Sequence, residues 1–359
     1  MVTRIKLETC VEFNWLKEKG TYMIEKANTK MIEDIKNIIM SSREKVTYAV
    51  NNTMVNAYWN VGKIIVENEQ NGNIKAEYGK QVMQELSKEL KKTLGSGFSV
   101  SNLQYMRRFY ITYPKQQTLS VKLSWSHYCE LLSIEEEDER NFYEKECINA
   151  NWSVRELKRQ IETSLFERLL LSDGKQNKEI VYKLSKEGQT LNKPEDILKE
   201  PYVFEFLGIK ENKPILEKDL EGKLVKHIED FLLELGKGFM FVGTQQRITL
   251  GNIHYYVDMV FYNKILRCYV LIDLKIGQMK PEYAGQMNMY LNYYDKEIND
   301  ENDSKPIGII LCKSKKTVDM EYALGGLSNN VFASTYTYYI PNKEQLISEV
   351  EKVLNDKNN

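Results

Sequence analysis

Histidine and cysteine, the usual ligands of zinc, are scarce in this sequence. Among 359 residues there are three histidines and five cysteines, and no two cysteines form a CxxC pair. A zinc finger needs clustered ligands of this kind, and a secreted disulfide framework usually has an even number of cysteines, so the sequence supports neither. Any bound metal would be held by carboxylates, which favours a hard cation such as magnesium.

Long apolar runs and proline are also scarce. No window approaches the roughly 18 consecutive apolar residues of a membrane helix, and residues 1–12 alternate charged with apolar side chains, unlike a signal peptide. Seven prolines and 42% hydrophobic residues predict packed cores rather than long disorder. We therefore expect a cytoplasmic protein of two ordinary domains with no membrane partner.

The overall charge excludes a strongly basic or acidic chain, but it conceals a local excess. The 50 basic and 51 acidic side chains leave a formal charge of −1. Residues 80–122, by contrast, contain eight lysines and arginines and only two acids. Such a run occurs both on solvated helix faces and where a protein binds a polyanion, so its meaning depends on where it lies.

Residues 30 to about 170 carry apolar side chains at spacings of three and four, which predicts an all-α first half. A helix from about residue 78 should end at Gly95, and Ser99 should cap the next helix over 100–112. Two helices joined by a short glycine turn are typical of helix-turn-helix DNA readers, although an αα-hairpin with a solvated face is the alternative. Because the basic excess falls here, we expect nucleic-acid contact from Lys91, Lys92, Asn102, Arg107 and Arg108.

From about residue 201 the pattern changes from helical to mixed α/β. Three hairpin-connected strands, a crossover helix and further strands predict an α/β sandwich with a mixed sheet, and hence an α+β fold overall. The third strand is almost continuously apolar, which predicts a position inside the sheet. The predicted elements are a Ser-capped helix over 153–170, a helix over 219–235, strands over 239–250, 253–262 and 266–276, a helix over 281–294, strands over 307–312 and 331–340, and a closing helix.

Three charged residues interrupt two of these apolar strands. Asp258 lies in the middle of one strand, and the next strand contains Asp273 and Lys275, which share a face because side chains alternate along a strand. A desolvated carboxylate is costly unless it is paired or coordinates a metal. Two acids and a lysine on adjacent antiparallel strands therefore predict a chemical site. A buried Asp–Lys pair that satisfies itself, or positions that face water, are the structural alternatives.

An aspartate on one strand, followed by acid-x-Lys on the next, resembles the PDDEXK nuclease superfamily. The surrounding segments are more specific: YWNVG at 58–62, YGK at 78–80, GFS at 97–99, LSWSHY at 123–128, WSVREL at 152–157, FLLELGKGF at 231–239, FVG at 241–243, YVDMVFY at 256–262, LKIG at 274–277 and KPEYAGQMN at 280–288. Together they are similar to the YhcG-type PDDEXK nucleases, in which a helical domain precedes the nuclease domain. The resemblance extends from about residue 30 to 340.

The resemblance implies roles for the three charged residues. Asp258 and Asp273 would bind magnesium, with manganese able to substitute, and Lys275 would orient or activate the attacking water and stabilise charge developing on the phosphate. The sequence departs from the superfamily in two places, with Asp273 where glutamate is usual and Val257 where proline is usual. The shorter side chain of Asp273 would shift the metal geometry without abolishing it.

The resemblance also implies a further acid from the helix before the first strand. Glu221 is the better candidate, because it shares a helix face with Val225, Ile228 and Leu232, and Glu234 is the alternative. Gln286 matches a polar position near the site in related nucleases, although a surface amide would explain it equally well. The candidates for contact with the substrate backbone are Lys280 and Tyr283.

We therefore predict a magnesium-dependent endonuclease that hydrolyses phosphodiester bonds of DNA and is targeted by its helical domain. The alternatives are a catalytically decayed DNA-binding protein of the same fold and a protein-interaction scaffold. A homodimer would bring two active sites to two strands, and the sequence identifies no protein partner. The predicted divisions are a helical domain over 30–172, a connector over 173–200, a nuclease domain over 201–345, and a C-terminal helix end and tail over 346–359.

Overall fold

The protein, seen here in a computed structural model, is divided into two compact units. Unit 1 comprises Met1–Tyr128 and unit 2 comprises Cys129–Asn359. In the part of the chain that the structure describes, no helix is long and apolar enough to cross a membrane. The described residues are 2–69, 76–172, 178–209, 215–314 and 330–355.

Unit 1 is helical, as the apolar spacing predicts. Its described helices are α1 (Val2–Asn68), α2 (Ala76–Leu94), α3 (Val100–Thr112) and the start of α4 (Trp125–Leu131). The core forms where α1 meets α3, and Leu103, Met106 and Phe109 of α3 are fully buried. Gly62 allows this close approach, because a Cβ at that position would stand 2.0 Å from the backbone oxygen of Met106. The missing side chain therefore fixes how closely the two helices pack.

Helices α2 and α3 end and begin where the sequence predicts. The Ser99 hydroxyl caps α3 by accepting a hydrogen bond of 3.2 Å from the backbone N–H of Asn102. Gly95, directly after α2, has a φ of 101°, which residues with a side chain rarely adopt. The Asn-Gly-Asn sequence at 71–73, which predicts a break between two helices, lies outside the described residues. The large apolar side chains between residues 31 and 39, whose spacing of three and four predicts a helix, are exposed.

Unit 2 contains a six-stranded mixed sheet, which confirms the predicted α+β fold. The strand order is β1-β6-β5-β4-β3-β2, with antiparallel pairs β2–β3 and β3–β4 and parallel pairs β4–β5, β5–β6 and β1–β6. The strands are β1 (Tyr202–Val203), β2 (Phe239–Leu250), β3 (Ile253–Asn263), β4 (Cys268–Gln278), β5 (Ile307–Ser314) and β6 (Asn330–Thr337). The helices are α5 (Glu137–Ala150), α6 (Val154–Glu162), α7 (Leu165–Ser172), α8 (Lys178–Glu187), α9 (Glu217–Lys226), α10 (Ile228–Leu235), α11 (Pro281–Tyr293) and α12 (Lys343–Asn355).

The central strands are buried on both faces. Met259 of β3 belongs to an apolar cluster with Phe231 of α10 on one face. Its neighbour Val260 points the other way and joins Leu271 of β4 and Met287 of α11. β4 lies between β3 and β5 in the sheet, as its apolar sequence predicts. Any charged group on these strands is therefore held in a mostly apolar environment.

Two predicted helices are each divided in two. The helix predicted over 219–235 is interrupted at His227, where φ of −110° and ψ of 37° end α9 and precede α10. The helix predicted over 153–170 is interrupted near Ser164, which has a left-handed φ of 53°. Apolar spacing continues across both interruptions and does not reveal them. The predicted connector over 173–200 contains the helix α8.

A buried cluster of charged residues, called the Glu234 cluster below, links helices α6 and α7 to helix α10. Arg168 Nη1 lies 2.5 Å from Glu234 Oε1, and Arg159 Nη2 lies 3.1 Å from Glu234 Oε2. The ammonium of Lys199 donates to the backbone carbonyl of Glu234. Burial alone would raise the pKa of Glu234, but these three cations lower it to about 2. This carboxylate is therefore a fully compensated structural ion.

Candidate active site

Asp258 on β3 and Asp273 on β4 face each other across two antiparallel strands. The register pairs Met259 with Ile272, so the next residues along, Asp258 and Asp273, are also opposite. The backbone N–H of Leu274 donates a hydrogen bond of 2.9 Å to Asp258 Oδ2. Asp273 is buried, with 3% of its surface exposed. Like charges directly opposite in a sheet repel each other, so a positive charge nearby would stabilise this pair.

Lys275 supplies one positive charge at this place. Its Nζ lies 2.8 Å from Asp273 Oδ2 and 3.3 Å from Glu217 Oε1 on α9. The same atom lies 5.3 Å from the ring centroid of Tyr283 on α11. Burial opposes the charged form, but Asp273, Asp258 and Glu217 together raise the pKa of Lys275 above its ordinary value. In the metal-free protein the ammonium is therefore protonated and can donate hydrogen bonds.

Asp273 shows that one lysine does not balance the charge of the site. Burial, followed by the facing carboxylate of Asp258, raises the pKa of Asp273 to about 7, although Lys275 acts in the opposite direction. An added cation would remove the repulsion between the two carboxylates and would stabilise the ionised form of Asp273. Strongly shifted groups of this kind are concentrated at functional sites.

Helix α9 adds two carboxylates, one turn apart. Glu217 contacts Lys275, as described above. Glu221 Oε2 accepts a hydrogen bond of 2.9 Å from Gln245 Nε2, and the same nitrogen lies 3.3 Å from Asp258 Oδ1. Burial, Asp258 and Glu217 raise the pKa of Glu221, although the bond from Gln245 lowers it. The predicted acid Glu221 is thus joined to the aspartate pair through Gln245.

Glu234, the alternative to Glu221, lies in the Glu234 cluster and not beside the aspartates. Its carboxylate oxygens accept hydrogen bonds from two arginines and one backbone N–H. The geometry therefore favours Glu221 as the further acid. The helix face that the sequence predicts for Glu221, Ile228 and Leu232 is not continuous, however, because the helix is divided at His227.

The other predicted residues near the site differ in how closely they approach it. Gln286 Nε2 donates a hydrogen bond of 2.5 Å to the hydroxyl of Tyr290. The Tyr290 hydroxyl in turn donates a hydrogen bond of 3.2 Å to the backbone carbonyl of Tyr256 on β3, so Gln286 reaches the strand of Asp258 through Tyr290. Lys280 is exposed, with its Nζ 3.5 Å from Glu282 Oε1 and 5.8 Å from the ring centroid of Tyr283.

Four basic residues of unit 1 were predicted to contact nucleic acid, and they differ in their partners. Lys91, Lys92 and Arg108 are exposed. Arg107 Nε donates to both carboxylate oxygens of Glu69, at 2.7 and 2.9 Å. The charge of Arg107 is thus partly neutralised within the protein, whereas the other three side chains extend into solvent.

Asn102, the fifth predicted residue of unit 1, is engaged within its own unit. Its Nδ2 donates a hydrogen bond of 2.5 Å to the carbonyl of Gly97, and its Oδ1 accepts one of 2.9 Å from Trp125 Nε1. Both ends of the amide are occupied by protein groups. Asn102 therefore supports the turn before α3 and is a poor candidate for reading a base.

The donor set at the aspartate pair suits a magnesium ion. Among the described residues, no three or more His, Cys, Asp or Glu side chains form a complete metal site by themselves. Magnesium does not need one, because it is commonly held by one or two carboxylates together with water and substrate phosphate. Asp258 and Asp273 provide two facing carboxylates with a deficit of positive charge. The fit therefore rests on this pair, with Glu221 beyond it.

Two residues of the site, Glu217 and Gln245, are not among those predicted from the sequence. Glu217 stands one helical turn before Glu221, and an i, i+4 spacing puts both on one face. Gln245 stands opposite Asp258 if the two-residue turn at 251–252 sets the hairpin register, which the structure bears out. Both positions could have been found by extending patterns already recognised.

Comparison with known families agrees with this geometry. The family model described as the YhcG PDDEXK nuclease domain matches residues 195–351, and the model described as the DUF1016 N-terminal domain matches residues 34–168. The mixed sheet, with its paired acids and lysine, is thus that of a PDDEXK nuclease. Nucleases of this class generally use divalent metal ions and act on nucleic acid.

One curated protein is similar over most of its length. The chain is 37% identical over 357 residues to "Putative nuclease YhcG" of Escherichia coli (strain K12), which covers 90% of this chain and 94% of that protein. The chain belongs to the YhcG-type family of PDDEXK nucleases. Among solved structures, the crystal structure of a repair endonuclease from Pyrococcus abyssi matches 35% of this chain and 49% of its own, with 14% identity and a TM-score of 0.25.

Proposed function

We propose that the protein is a magnesium-dependent endonuclease that hydrolyses phosphodiester bonds of DNA. The observation that supports this function is the facing pair of half-buried Asp258 and buried Asp273, for which Lys275 is the one compensating cation among the described residues. In the Glu234 cluster, by contrast, three cations surround the carboxylate. An excess of negative charge on oxygen ligands is what a site for a divalent cation requires.

The residues of the site divide the catalytic work. Magnesium held by Asp258 and Asp273 would supply a Lewis acid for the phosphate and lower the pKa of a bound water. Lys275 donates hydrogen bonds to the phosphate and stabilises the negative charge that develops there. Contacts from Asp273 and Glu217 hold the ammonium in place.

DNA binding is proposed to depend mainly on unit 1. Lys91, Lys92 and Arg108 are exposed within the stretch that carries the basic excess. Phosphate contacts by such side chains supply sequence-independent affinity and make it salt-dependent. Arg107 contributes less, because Glu69 already pairs with it. The cytoplasmic location and the homodimer, which would place one site on each strand, stay predictions from the sequence.

A plasmid-nicking assay tests the proposed activity. The full chain should convert supercoiled plasmid to nicked or linear DNA with Mg²⁺ or Mn²⁺, and EDTA should abolish the reaction. Asp273→Asn and Lys275→Ala should be inactive, whereas Asp295→Asn, an exposed change of the same chemical kind in unit 2, should cleave like the wild type. Parallel incubation with single-stranded DNA and RNA defines the substrate.

Two results would contradict the proposal. Cleavage that persists in EDTA would exclude a metal-dependent mechanism. Cleavage by a pure, metal-replete Asp273→Asn protein at the wild-type rate would remove the site from the aspartate pair. A wild-type chain that binds DNA and Mn²⁺ but cleaves nothing would instead support the catalytically decayed alternative.

A further inference from the structure

Gln245 occupies a position in β2 that brings its amide between two carboxylates from different elements. The flanking pairs Thr244–Met259 and Gln246–Val257 place it opposite Asp258 in the β2–β3 register. Its Nε2 donates to Glu221 Oε2 at 2.9 Å and lies 3.3 Å from Asp258 Oδ1. One neutral donor therefore spans the gap between helix α9 and strand β3.

The backbone of Gln245 is held in a conformation that residues with a side chain seldom adopt within a strand. Its φ is 47°, in the left-handed region. Such a conformation costs on the order of 1 kcal/mol for a residue other than glycine and persists where the surroundings hold it. The register of β2 also shifts between Phe241 and Gly243, so the strand is irregular on the approach to this position. A glycine here would fit the backbone better but would lack the amide.

The two oxygens of Asp258 each receive a donor from a different direction. The backbone N–H of Leu274 reaches Oδ2, and Gln245 Nε2 reaches Oδ1. Two donors on opposite sides fix the plane of the carboxylate. The same amide draws Glu221 toward Asp258, although the two negative charges repel each other. A charged donor in this place would neutralise the excess negative charge, whereas an amide leaves it intact for a metal ion.

We propose that Gln245 is a positioning residue, which holds Asp258 in its metal-binding orientation and keeps Glu221 beside the metal site. This inference rests on the proposed function. Groups that hydrogen-bond metal ligands orient them, and removing such a group typically lowers metal affinity about 10- to 100-fold. Gln245 acts through Asp258 and Glu221 and does not itself bind the metal.

Three variants of the full chain separate the amide from the backbone conformation. Gln245→Met keeps the length of the side chain but removes the donor. Gln245→Gly removes the donor and relieves the left-handed φ, so its metal-free melting temperature should equal or exceed that of the wild type. Gln246→Met is the matched control, because the amide of Gln246 bonds within the strand to the Thr244 carbonyl.

Two readouts test the role. Isothermal titration with Mn²⁺ alone should show about 10- to 100-fold weaker binding for Gln245→Met and Gln245→Gly, and no change for Gln246→Met. In plasmid cleavage at limiting Mn²⁺, kcat should fall by a similar factor while KM for DNA is unchanged. Raising the Mn²⁺ concentration should restore cleavage, which would not happen if the variants had lost their fold.

The possible outcomes distinguish this inference from the proposed function. Wild-type-like Mn²⁺ affinity and cleavage in both Gln245 variants, with an active wild type, would overturn the positioning role and leave the proposed function standing. A wild-type chain that neither binds Mn²⁺ nor cleaves DNA would overturn the proposed function, and the role of Gln245 with it.

Discussion

Two of the places where unit 2 buries a carboxylate differ in the positive charge around them. In the Glu234 cluster, one carboxylate is bonded by Arg159 and Arg168 and lies close to Lys199, and its pKa falls to about 2. At the proposed active site, two facing aspartates share Lys275, and the pKa of Asp273 rises to about 7. The first arrangement is complete without any added ion, whereas the second is not. The balance of charge therefore distinguishes the Glu234 cluster from the proposed metal site.

The largest expected effect is the loss of activity when the incomplete site is altered. Asp273→Asn should reduce cleavage by at least about 10³-fold, because a metal ligand contributes several kcal/mol of transition-state stabilisation. The same change should raise the metal-free melting temperature of unit 2, because it removes a repelling carboxylate. Cleavage assays and thermal unfolding in EDTA measure the two effects. A variant that is both inactive and less stable would place Asp273 among structural residues.

The Glu234 cluster should show the opposite pattern, in which a substitution lowers stability and leaves activity intact. Glu234→Gln leaves Arg168, which is fully buried, without its counter-ion, and breaking a buried ion pair costs about 3–5 kcal/mol. Urea unfolding of unit 2 should show this loss. The protein that stays folded should cleave at the wild-type rate per folded molecule, since the Glu234 carboxylate bonds two arginines and a backbone N–H away from the aspartates. Glu349→Gln, an exposed change in α12, serves as the control.

The pH dependence of stability should differ in sign between the two places. The pKa of Asp273 is raised from 3.8 to about 7, so the folded state binds more protons than the unfolded chain, and metal-free stability falls as pH rises from about 4 to 7. The pKa of Glu234 is lowered to about 2, so its contribution is lost only as pH falls below about 4. Melting temperatures across this range, with and without Mg²⁺, measure both.

Magnesium provides the check on this pH dependence. Because the ion binds ionised carboxylates, Mg²⁺ should raise the melting temperature of unit 2 by a few degrees more at pH 8 than at pH 6. In Asp273→Asn the fall in stability between pH 4 and 7 should flatten, and the effect of Mg²⁺ should shrink. An unchanged slope in this variant would show that another group causes the pH dependence.

The smallest effect extends the comparison of paired and unpaired charge to unit 1. Arg108→Ala should lower the salt slope of DNA binding by about 0.9, the value for one duplex phosphate contact. Arg107→Ala should lower it by less, because Glu69 already neutralises that guanidinium. Fluorescence anisotropy at a series of salt concentrations measures both. Equal slopes for both variants and the wild type would indicate a solvated face with no role in binding.

The strands of unit 2 could be predicted because their pattern is local. Alternating and continuous apolar residues define β2 to β6 within a few residues, and the two-residue turn after β2 gives the hairpin register. The facing of Asp258 and Asp273 follows from the register of the next antiparallel pair, β3 with β4. The breaks at His227 and Ser164 could not be predicted, because they depend on backbone angles that leave the apolar spacing unchanged.

The choice between Glu221 and Glu234 required the structure. Both stand on the helical segment before β2, and the sequence cannot show which one meets an arginine. Glu234 bonds Arg168 and Arg159, which are 66 and 75 residues away in the sequence. Gln245 is similar, because its importance depends on a helix and a strand that approach it from different directions. Contacts of this kind are set by tertiary packing.

The Glu234 cluster also determines where this chain could exchange parts with its relatives. The two family models divide the sequence between residues 168 and 195, with Arg159 and Arg168 on one side and Glu234 on the other. A chimera joined there would combine a carboxylate from one parent with guanidiniums from another. A junction after Tyr128 keeps all three in one piece. The segment that would have to be exchanged as a whole therefore begins at residue 129, well before the gap between the two family models.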